Sequence, residues 1–464
     1  MGNGNFRQEE QSILEMRLRF EALSVYRNIL ADKVISKMYS LVDYLYAGEC
    51  DLCGFLSHYN NLYNSLVEED SSESLKNYII NYIIYNESSF SCKAEFNDTN
   101  DMEETYKKVV KEDLNFLQTM SNLSSMFFKN YALKHFSQRD FEEQIVRNLP
   151  EWKVSAKFSG HESFENVVEK LTSLSLWGDS LEALGDFYNT NGTGVFAKYR
   201  GFVWEAEGNE KYLKGIDSPD PIMLKNLISY ERERKQIIEN TMHFLKGHTA
   251  NNILLYGDRG TGKSSTVKAL LNEYHTMGLR IIEIPKLFLP DLPEIIRIVK
   301  NRNLYFIFFI DDLAFEDSEE SYTALKAILE GGLESRPENV VIYATSNRRH
   351  LIKEKFSERQ GLMSGNYEDE VHAGDTMQEK LSLADRFGIT ITFTSPDQSK
   401  YLNIVDGLAL QRNIEMDEET LHRKALQWEM RHNGRSARTA RQFIDWLEGD
   451  IKMKEVLSWI HLKM

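Results

Sequence analysis

Residues 252–275 read NILLYGDRGTGKSSTVKALLNEYH, and this stretch decides the fold around it. A short apolar run, NILLY, leads into a loop with three glycines, and the loop leads into a sequence with helical periodicity. The loop has the spacing G-x-x-x-x-G-K-[ST], in which glycines let backbone N–H groups turn inward around an anion. The stretch therefore predicts a phosphate-binding loop between a strand and a helix.

The loop residues have separate expected roles. Lys263 is expected to reach the β- and γ-phosphates of a nucleotide, and the Ser264 hydroxyl is expected to help hold Mg²⁺. Asp258 and Arg259 stand at variable positions, where solvated side chains are expected. The residues assigned to the phosphate loop as a whole are Gly257, Asp258, Arg259, Gly260, Thr261, Gly262, Lys263, Ser264 and Ser265.

A second buried strand ends in two adjacent acids. Residues 304–316 read LYFIFFIDDLAFE, in which seven apolar side chains precede Asp311 and Asp312. In P-loop NTPases a strand beside the phosphate-loop strand ends in an aspartate that holds the Mg²⁺ shell. Asp311 is predicted to have this role, which makes Ser264 and Asp311 the candidate metal ligands.

The composition restricts the class of protein. The chain has 464 residues, of which 42% are hydrophobic, so two or three domains with ordinary cores are expected. It carries 55 basic and 71 acidic residues, a net charge of −16, which disfavours nucleic acid and anionic lipid as partners. Three cysteines fit a reducing cytoplasm, and no apolar stretch reaches the roughly 20 residues of a membrane span.

Short apolar runs spaced by helical periods predict a parallel sheet with helices on both faces. The runs are NILLY (252–256), LRIIEI (279–284), LYFIFFI (304–310), VVIYATS (340–346) and ITITF (389–393). We therefore expect an α/β domain with a parallel five-stranded sheet. The periodicity divides the chain into a mainly helical N-terminal domain (1–193), a β-rich linker (194–218), the α/β domain (219–396) and a helical C-terminal domain (397–464).

The order of these motifs resembles the AAA+ ATPase superfamily. ANNILLYGDRGTGKSS, FIDDLAFE, LEGGLESRPENVVIYATSNRRHL and LSLADRFG are similar to a bacterial family of AAA+ ATP-binding proteins called domain of unknown function 815. The likeness covers about 194–447. It implies an α/β P-loop AAA+ module whose C-terminal helices form a lid, with ATP and Mg²⁺ as cofactors.

The resemblance also implies catalytic roles at single positions. Asn347, at the end of VVIYATS, matches the polar residue that orients the attacking water. Arg386 in ADRFG matches the arginine finger that reaches the nucleotide of a neighbouring subunit, which implies a homo-oligomer. Such a finger is typically worth 10³–10⁵ in rate.

Two further segments match nucleotide contacts in the resembled family. In the C-terminal stretch GRSARTAR, Arg438 is the better match to the arginine of the lid and Arg441 is the alternative. Leu227 and Ile228 occupy the adenine-side segment, where Ser229 stands in place of a common glycine. The adenine contacts are therefore less well defined than the phosphate contacts.

Asp312 occupies the place where many AAA+ enzymes carry the glutamate that polarises the attacking water. Aspartate is one methylene shorter, and a misplacement of about 1 Å can lower a rate about 10²-fold. Slow hydrolysis is therefore expected. Glu316 could supply the missing reach, although an acid at a helix start is the plainer interpretation.

Three functions compete. The first is an oligomeric ATPase that drives conformational change in a protein partner recognised by the helical N-terminal region. The second is a nucleotide-gated scaffold with little hydrolysis. The third, a nucleic-acid loader, ranks last because of the acidic charge and because no helix-turn-helix or zinc motif is present. Residues 285–293, PKLFLPDLP, lack the aromatic-apolar-glycine triplet of polypeptide-threading loops.

Overall fold

The protein consists of two compact units, Met1–Lys198 and Tyr199–Met464, each with its own hydrophobic core. The structure is a computed structural model. It describes residues 2–47, 50–68, 74–153, 160, 162–313, 319–330, 336–347, 386–432 and 434–462.

Helices make up the regular structure of the first unit wherever the chain is described. Their apolar faces surround large buried aromatic side chains such as Tyr59, Trp177 and Tyr188. The α-helices are α1 (Gly2–Ala22), α2 (Ile35–Tyr46), α3 (Leu52–Glu68), α4 (Leu75–Tyr85), α5 (Ser89–Ala94), α6 (Glu104–Ser121), α7 (Ser125–His135), α8 (Asp140–Arg147), α9 (Glu162–Ser173), α10 (Leu181–Asn191) and α11 (Val195–Lys198). Short 3-10 helices cover Arg27–Ala31, Thr99–Asp101 and Trp177–Ser180.

The second unit is built on a seven-stranded sheet with the order β2-β1-β4-β5-β6-β3-β7. Its strands are β1 (Gly201–Glu207), β2 (Glu210–Gly215), β3 (Ile253–Gly257), β4 (Leu279–Glu283), β5 (Tyr305–Ile310), β6 (Val340–Ser346) and β7 (Ile389–Phe393). Among the described strands, only the β1–β2 pair is antiparallel.

The strand count corrects the prediction of a parallel five-stranded sheet. Residues 201–215, assigned above to a linker, form a hairpin whose first strand pairs in parallel with β4. The hairpin turns at Gly208 and Asn209, and Gly208 has a φ of 61°, which glycine adopts without steric cost. Since a hairpin needs only two turn residues between its strands, this short segment can extend the sheet.

Helices and 3-10 segments connect and cover the strands. The α-helices are α12 (Glu231–Leu245), α13 (Lys263–Tyr274), α14 (Leu292–Val299) and α15 (Glu319–Glu330), followed by the lid helices α16 (Gln398–Gln411), α17 (Glu418–Arg431) and α18 (Ala437–Leu462). The 3-10 segments are Leu224–Asn226, His275–Met277 and Lys286–Asp291. None of the described helices is long and apolar enough to cross a membrane.

The position of β6 corrects a second expectation. The sequence predicts that the Asp311 strand, β5, lies beside the phosphate-loop strand, β3, but β6 lies between them and pairs with both. Every residue of β6 is buried, as are five of the six in β5, because helices cover both faces of these central strands. The residue that follows β6 is therefore held between the phosphate loop and the aspartates.

Candidate functional site

The carboxyl ends of β3, β6 and β5 meet at one edge of the sheet and border a cleft of about 610 Å³. This volume lies within the range of small-ligand sites. The cleft is lined by Asn226, Leu227, Ile228, Arg234, Arg259, Gly260, Thr261, Gly262, Lys263, Ser264, Ser265, Thr266, Asp311, Asp312, Thr345, Asn347, Ile404, Leu408, Ala437, Arg438 and Arg441. The phosphate loop, the two aspartates and the lid arginines are thus brought together.

Glycines shape the phosphate loop. Gly257 has a φ of 131°, and a Cβ atom there would lie 2.0 Å from the carbonyl oxygen of Phe393. Gly260 and Gly262 have φ values of 75° and 93°, which are left-handed conformations that side chains disfavour. The glycine spacing read from the sequence therefore corresponds to three positions where the backbone needs glycine.

Lys263 is buried at the centre of the cleft. Its ammonium group donates hydrogen bonds to the carbonyl oxygens of Gly257 at 2.9 Å and Asp258 at 2.7 Å. It donates a third to Oδ1 of Asn347 at 3.1 Å. Burial lowers the pKa of Lys263 to about 8, against the opposing effect of nearby carboxylates such as Asp311. A phosphate group would favour the charged form of this lysine.

Asp311 and Ser264 form a pair of oxygen ligands suited to Mg²⁺. The Ser264 hydroxyl donates to Oδ1 of Asp311 at 2.6 Å, so the two oxygens lie side by side. The Thr345 hydroxyl donates to the same Oδ1 at 2.6 Å and thereby fixes the carboxylate. Since Mg²⁺ prefers oxygen ligands and usually keeps several from water and substrate phosphate, a carboxylate and a hydroxyl fit the ion.

Asp312 is oriented by its backbone and by two neighbours. It has a φ of 54°, an uncommon left-handed conformation for a residue other than glycine. Its amide donates to Oγ1 of Thr345 at 2.9 Å, and its Oδ1 accepts from Nδ2 of Asn347 at 2.6 Å. Its Oδ2 lies 3.6 Å from the ammonium of Lys286. Strained backbone of this kind persists when surrounding contacts hold it and often marks functional sites.

The lid contacts the phosphate loop directly. The Arg438 amide donates to the carbonyl oxygen of Gly260 at 3.1 Å, and a Cβ atom on Gly260 would approach Cβ of Arg438 at 3.1 Å. The Ser436 hydroxyl accepts from the Thr439 amide at 3.0 Å and caps the start of α18. Both Arg438 and the alternative, Arg441, border the cleft, since residues three apart share a helix face.

The proposed adenine side is formed by Leu227 and Ile228, with lid residues opposite them. A Cβ atom on Gly407 of α16 would lie 2.5 Å from Cδ1 of Ile228, so the two segments pack closely. Ser229 has a φ of 61°, the left-handed conformation that a glycine would adopt most easily. Ser229 therefore has the left-handed backbone conformation expected of a glycine at this position, although it is a serine.

Asp258 has a structural contact that the sequence did not indicate. Its Oδ2 accepts hydrogen bonds from the Ser395 amide at 2.7 Å and the Ser395 hydroxyl at 2.8 Å. These donors lower the pKa of the Asp258 carboxyl. Because Ser395 lies between β7 and α16, the bond ties the phosphate loop to the segment that leads into the lid.

Two predicted catalytic residues are not among the described cleft residues. Arg386 lies just before β7, and β7 runs parallel to β3, so Arg386 is at the edge of the sheet where strands begin. The length of a five-residue strand, roughly 16 Å, separates that edge from the phosphate loop. Glu316 lies outside the described residues.

Other cleft residues had no signal in the sequence. Asn226, Arg234, Ile404 and Leu408 all border the cleft. Asn226 ends a short 3-10 segment and Arg234 lies among the charged residues that begin α12, whereas Ile404 and Leu408 follow the helical period of the lid. Only the fold, which brings these separate segments to one edge, identifies them.

The strand order, the phosphate loop after β3, the aspartate after β5 and the helical lid define a P-loop protein of the AAA+ class. The sequence pattern of one family matches residues 197–451, more than half of the chain. The chain belongs to that family, which is described as protein of unknown function (DUF815).

Among solved structures, the chain is similar to RuvB from Thermotoga maritima. One match is a RuvB mutant with 15% identity and a TM-score of 0.36, covering 51% of this chain and 67% of that chain. Another, titled as a Holliday junction branch migration motor, has 13% identity and a TM-score of 0.31, covering 49% of this chain and 72% of that chain. Similarity at this level gives no information about what this chain acts on. No curated protein matches the chain.

Proposed function

We propose that the protein binds Mg-ATP in this cleft and hydrolyses it slowly to ADP and phosphate. The observation that carries the proposal is a continuous set of polar contacts. Asn347 bonds both Lys263 of the phosphate loop and Asp312, while Ser264 bonds Asp311 beside them. A phosphate-binding lysine, a pair of metal ligands and a candidate base thus lie within one hydrogen-bonded group.

The chain's own groups would hold the triphosphate before reaction. The backbone N–H groups of the glycine loop and the ammonium of Lys263 bind phosphate oxygens. Ser264 and Asp311 would hold Mg²⁺, which neutralises charge on the β- and γ-phosphates when bound. Arg438 and Arg441 add positive charge from the lid side of the cleft. Because these contacts come from both the sheet edge and the lid, nucleotide binding favours a closed arrangement of the second unit.

Asp312 is the proposed acceptor of the proton from the attacking water, with Asn347 orienting that water. In the structure, Asn347 already bonds the carboxylate, and Lys286 lies 3.6 Å from its other oxygen. Both contacts engage carboxylate oxygens that an attacking water would also use. This competition, added to the short reach of aspartate, supports slow turnover.

The proposal extends to assembly and place of action. Arg386 lies too far from its own phosphate loop to contact the same nucleotide, so we propose that it reaches the nucleotide of a neighbouring subunit in a homo-oligomer. The helical unit Met1–Lys198 would recognise a protein partner, and the cycle would change the partner's conformation. The sparse cysteines support a cytoplasmic location.

A nucleotide-gated scaffold is the second candidate. The Lys286–Asp312 contact favours it, because a carboxylate oxygen engaged with an ammonium group is less available to an attacking water. In that case ATP binding alone would order the assembly, and hydrolysis would serve only to reset it.

Equilibrium binding of ATP with Mg²⁺ tests the nucleotide site itself. Truncating one member of a buried charge pair typically costs about 2–5 kcal/mol, so Lys263→Ala should weaken ATP binding at least about 30-fold. Lys246→Ala removes an exposed lysine at the end of α12 and should leave the affinity unchanged. Equal affinities for wild type and Lys263→Ala would contradict the proposal.

A further inference from the structure

Arg234 is a buried arginine at the edge of the nucleotide cleft. It lies in the first turn of α12, four residues after the buried Tyr230 and three residues before the buried Ile237. Since residues three and four apart lie on one side of a helix, Arg234 belongs to the buried face. Its side chain is only 10% exposed, yet it borders the cleft. Its position therefore places a buried, guanidinium-bearing side chain at the border of the cleft.

The described residues supply few acceptors for this guanidinium. Among the contacts of the described residues, its partner is Glu231, whose nearest oxygen lies 3.6 Å away and whose side chain is 77% exposed. A guanidinium has five N–H donors, and burying charge without acceptors is unfavourable. Burial accordingly lowers the pKa of Arg234. Buried, under-used donors at the border of a cleft indicate that a ligand supplies acceptor atoms.

The position in the cleft indicates which part of a nucleotide this would be. The phosphate end is already defined by Lys263, and Arg438 is close enough to Lys263 to contribute to lowering the lysine's pKa. Arg234 instead lies close in sequence to the adenine-side residues Leu227 and Ile228. The Ser229–Tyr230 pair, in which both residues have a positive φ, follows them, and Arg234 lies in the first helical turn after that pair. In the proposed nucleotide site, this segment borders the nucleoside end rather than the phosphate end.

We propose that Arg234 donates hydrogen bonds to acceptor atoms of the nucleoside. These bonds would raise the affinity for a nucleotide relative to the affinity for bare polyphosphate. The acceptors are ring nitrogens of the base or hydroxyl oxygens of the ribose. The inference rests on the proposed nucleotide site and adds a specificity-determining contact to it. It assigns a function to a residue whose sequence context, ERERK, looks like a solvated helix face.

The test compares the binding of ATP, 2′-deoxyATP and tripolyphosphate by the full-length chain. In Arg234→Met, which keeps an apolar stem of similar length, ATP affinity should fall about 10-fold or more, as expected for a charge-assisted hydrogen bond. Tripolyphosphate affinity should stay at the wild-type value, which also shows that the variant is folded. Arg232→Met is the matched control, because Arg232 is exposed on the same turn, and it should change neither affinity.

The deoxynucleotide separates the two kinds of acceptor. If Arg234 contacts the ribose 2′-hydroxyl, wild type should bind 2′-deoxyATP weakly and Arg234→Met should bind it equally weakly. If the contact is to the base or the 3′-hydroxyl, the substitution should weaken the binding of 2′-deoxyATP as much as the binding of ATP. Both outcomes support the inference.

Two results would overturn it. Unchanged ATP affinity in Arg234→Met excludes the contact. Arg234→Lys keeps the charge and most of the stem. If this variant loses affinity for ATP and for tripolyphosphate equally, the substitution acts at the phosphates or on the fold. Failure of wild type to bind ATP would instead contradict the proposed function, so the two failures are distinguishable.

Discussion

The side-chain amide of Asn347 bridges Lys263 and Asp312. Its Oδ1 accepts from the lysine ammonium at 3.1 Å, and its Nδ2 donates to Oδ1 of Asp312 at 2.6 Å. The bridge exists because β6 lies between β3 and β5, so the residue after β6 separates the phosphate loop from the aspartates. A γ-phosphate held by Lys263 would therefore be sensed by the group that positions the proposed base.

Loss of this amide should affect turnover more than binding. We expect Asn347→Ala to lower the rate of phosphate release at saturating ATP by about 10²-fold, the size typical of a displaced catalytic group. ATP affinity should change less than about threefold, because Lys263 keeps its other contacts. Asn209→Ala, in the exposed hairpin turn, is the control. An unchanged rate in Asn347→Ala would show that the bridge has no catalytic role.

ATP binding should take up a proton above neutral pH. The pKa of Lys263 is about 8 without nucleotide, and phosphate oxygens raise it because they favour the charged form. Below pH 7 the lysine is already charged, so no proton is taken up. At pH 8.5 roughly three quarters of the lysines are neutral, so binding should take up about that fraction of a proton and weaken as pH rises.

Calorimetry in buffers of different ionisation enthalpy measures this uptake. Any residual binding by Lys263→Met should show no proton uptake at pH 8.5. Proton uptake that is the same in wild type and variant would assign the titration to another group.

A side chain at Gly257 should destabilise the second unit. The added Cβ would clash with the Phe393 carbonyl oxygen and force a φ of 131° on alanine. We expect Gly257→Ala to lower the free energy of unfolding by at least about 2 kcal/mol. Gly208→Ala also has a positive φ but nothing within 4 Å of its Cβ, so about 1 kcal/mol is expected. Calorimetric unfolding of the full chain compares them, and equal losses would contradict the clash.

Arg386 should act on the nucleotide of a neighbouring subunit. Specific ATPase activity should then rise with protein concentration, and Arg386→Ala should lose about 10³-fold in rate at any concentration. Arg19→Ala, an exposed arginine of α1, should behave as wild type. Turnover independent of concentration would count against a role between subunits.

Local spacing predicted the phosphate loop, because its glycines and lysine act within one short segment of chain. The same holds for Asp311, which follows a continuous apolar run. The strand order was not predictable in this way. Any of several orders buries the same apolar runs, and the correct one became evident only when β6 was found between β3 and β5.

The missed elements share a physical cause. In residues 201–215, apolar and polar side chains alternate over too few positions for the pattern to distinguish a sheet strand from a linker. The pairing of this hairpin with β4 also depends on residues far along the chain. Arg234 looks like any helix-surface charge until the fold shows which face is buried. The bond between Asp258 and Ser395 joins residues 137 positions apart, which no local pattern reveals.

Phosphate release by variants of the two candidate acids tests most directly whether this cleft hydrolyses ATP and whether Asp312 activates the attacking water. Phosphate release should be measured for wild type, Lys263→Ala, Asp312→Asn and Glu316→Gln at several protein concentrations. Wild type should release phosphate slowly, Lys263→Ala and Asp312→Asn should fall to the background rate, and Glu316→Gln should remain near wild type. Activity that survives Asp312→Asn and disappears in Glu316→Gln would contradict the assignment of Asp312.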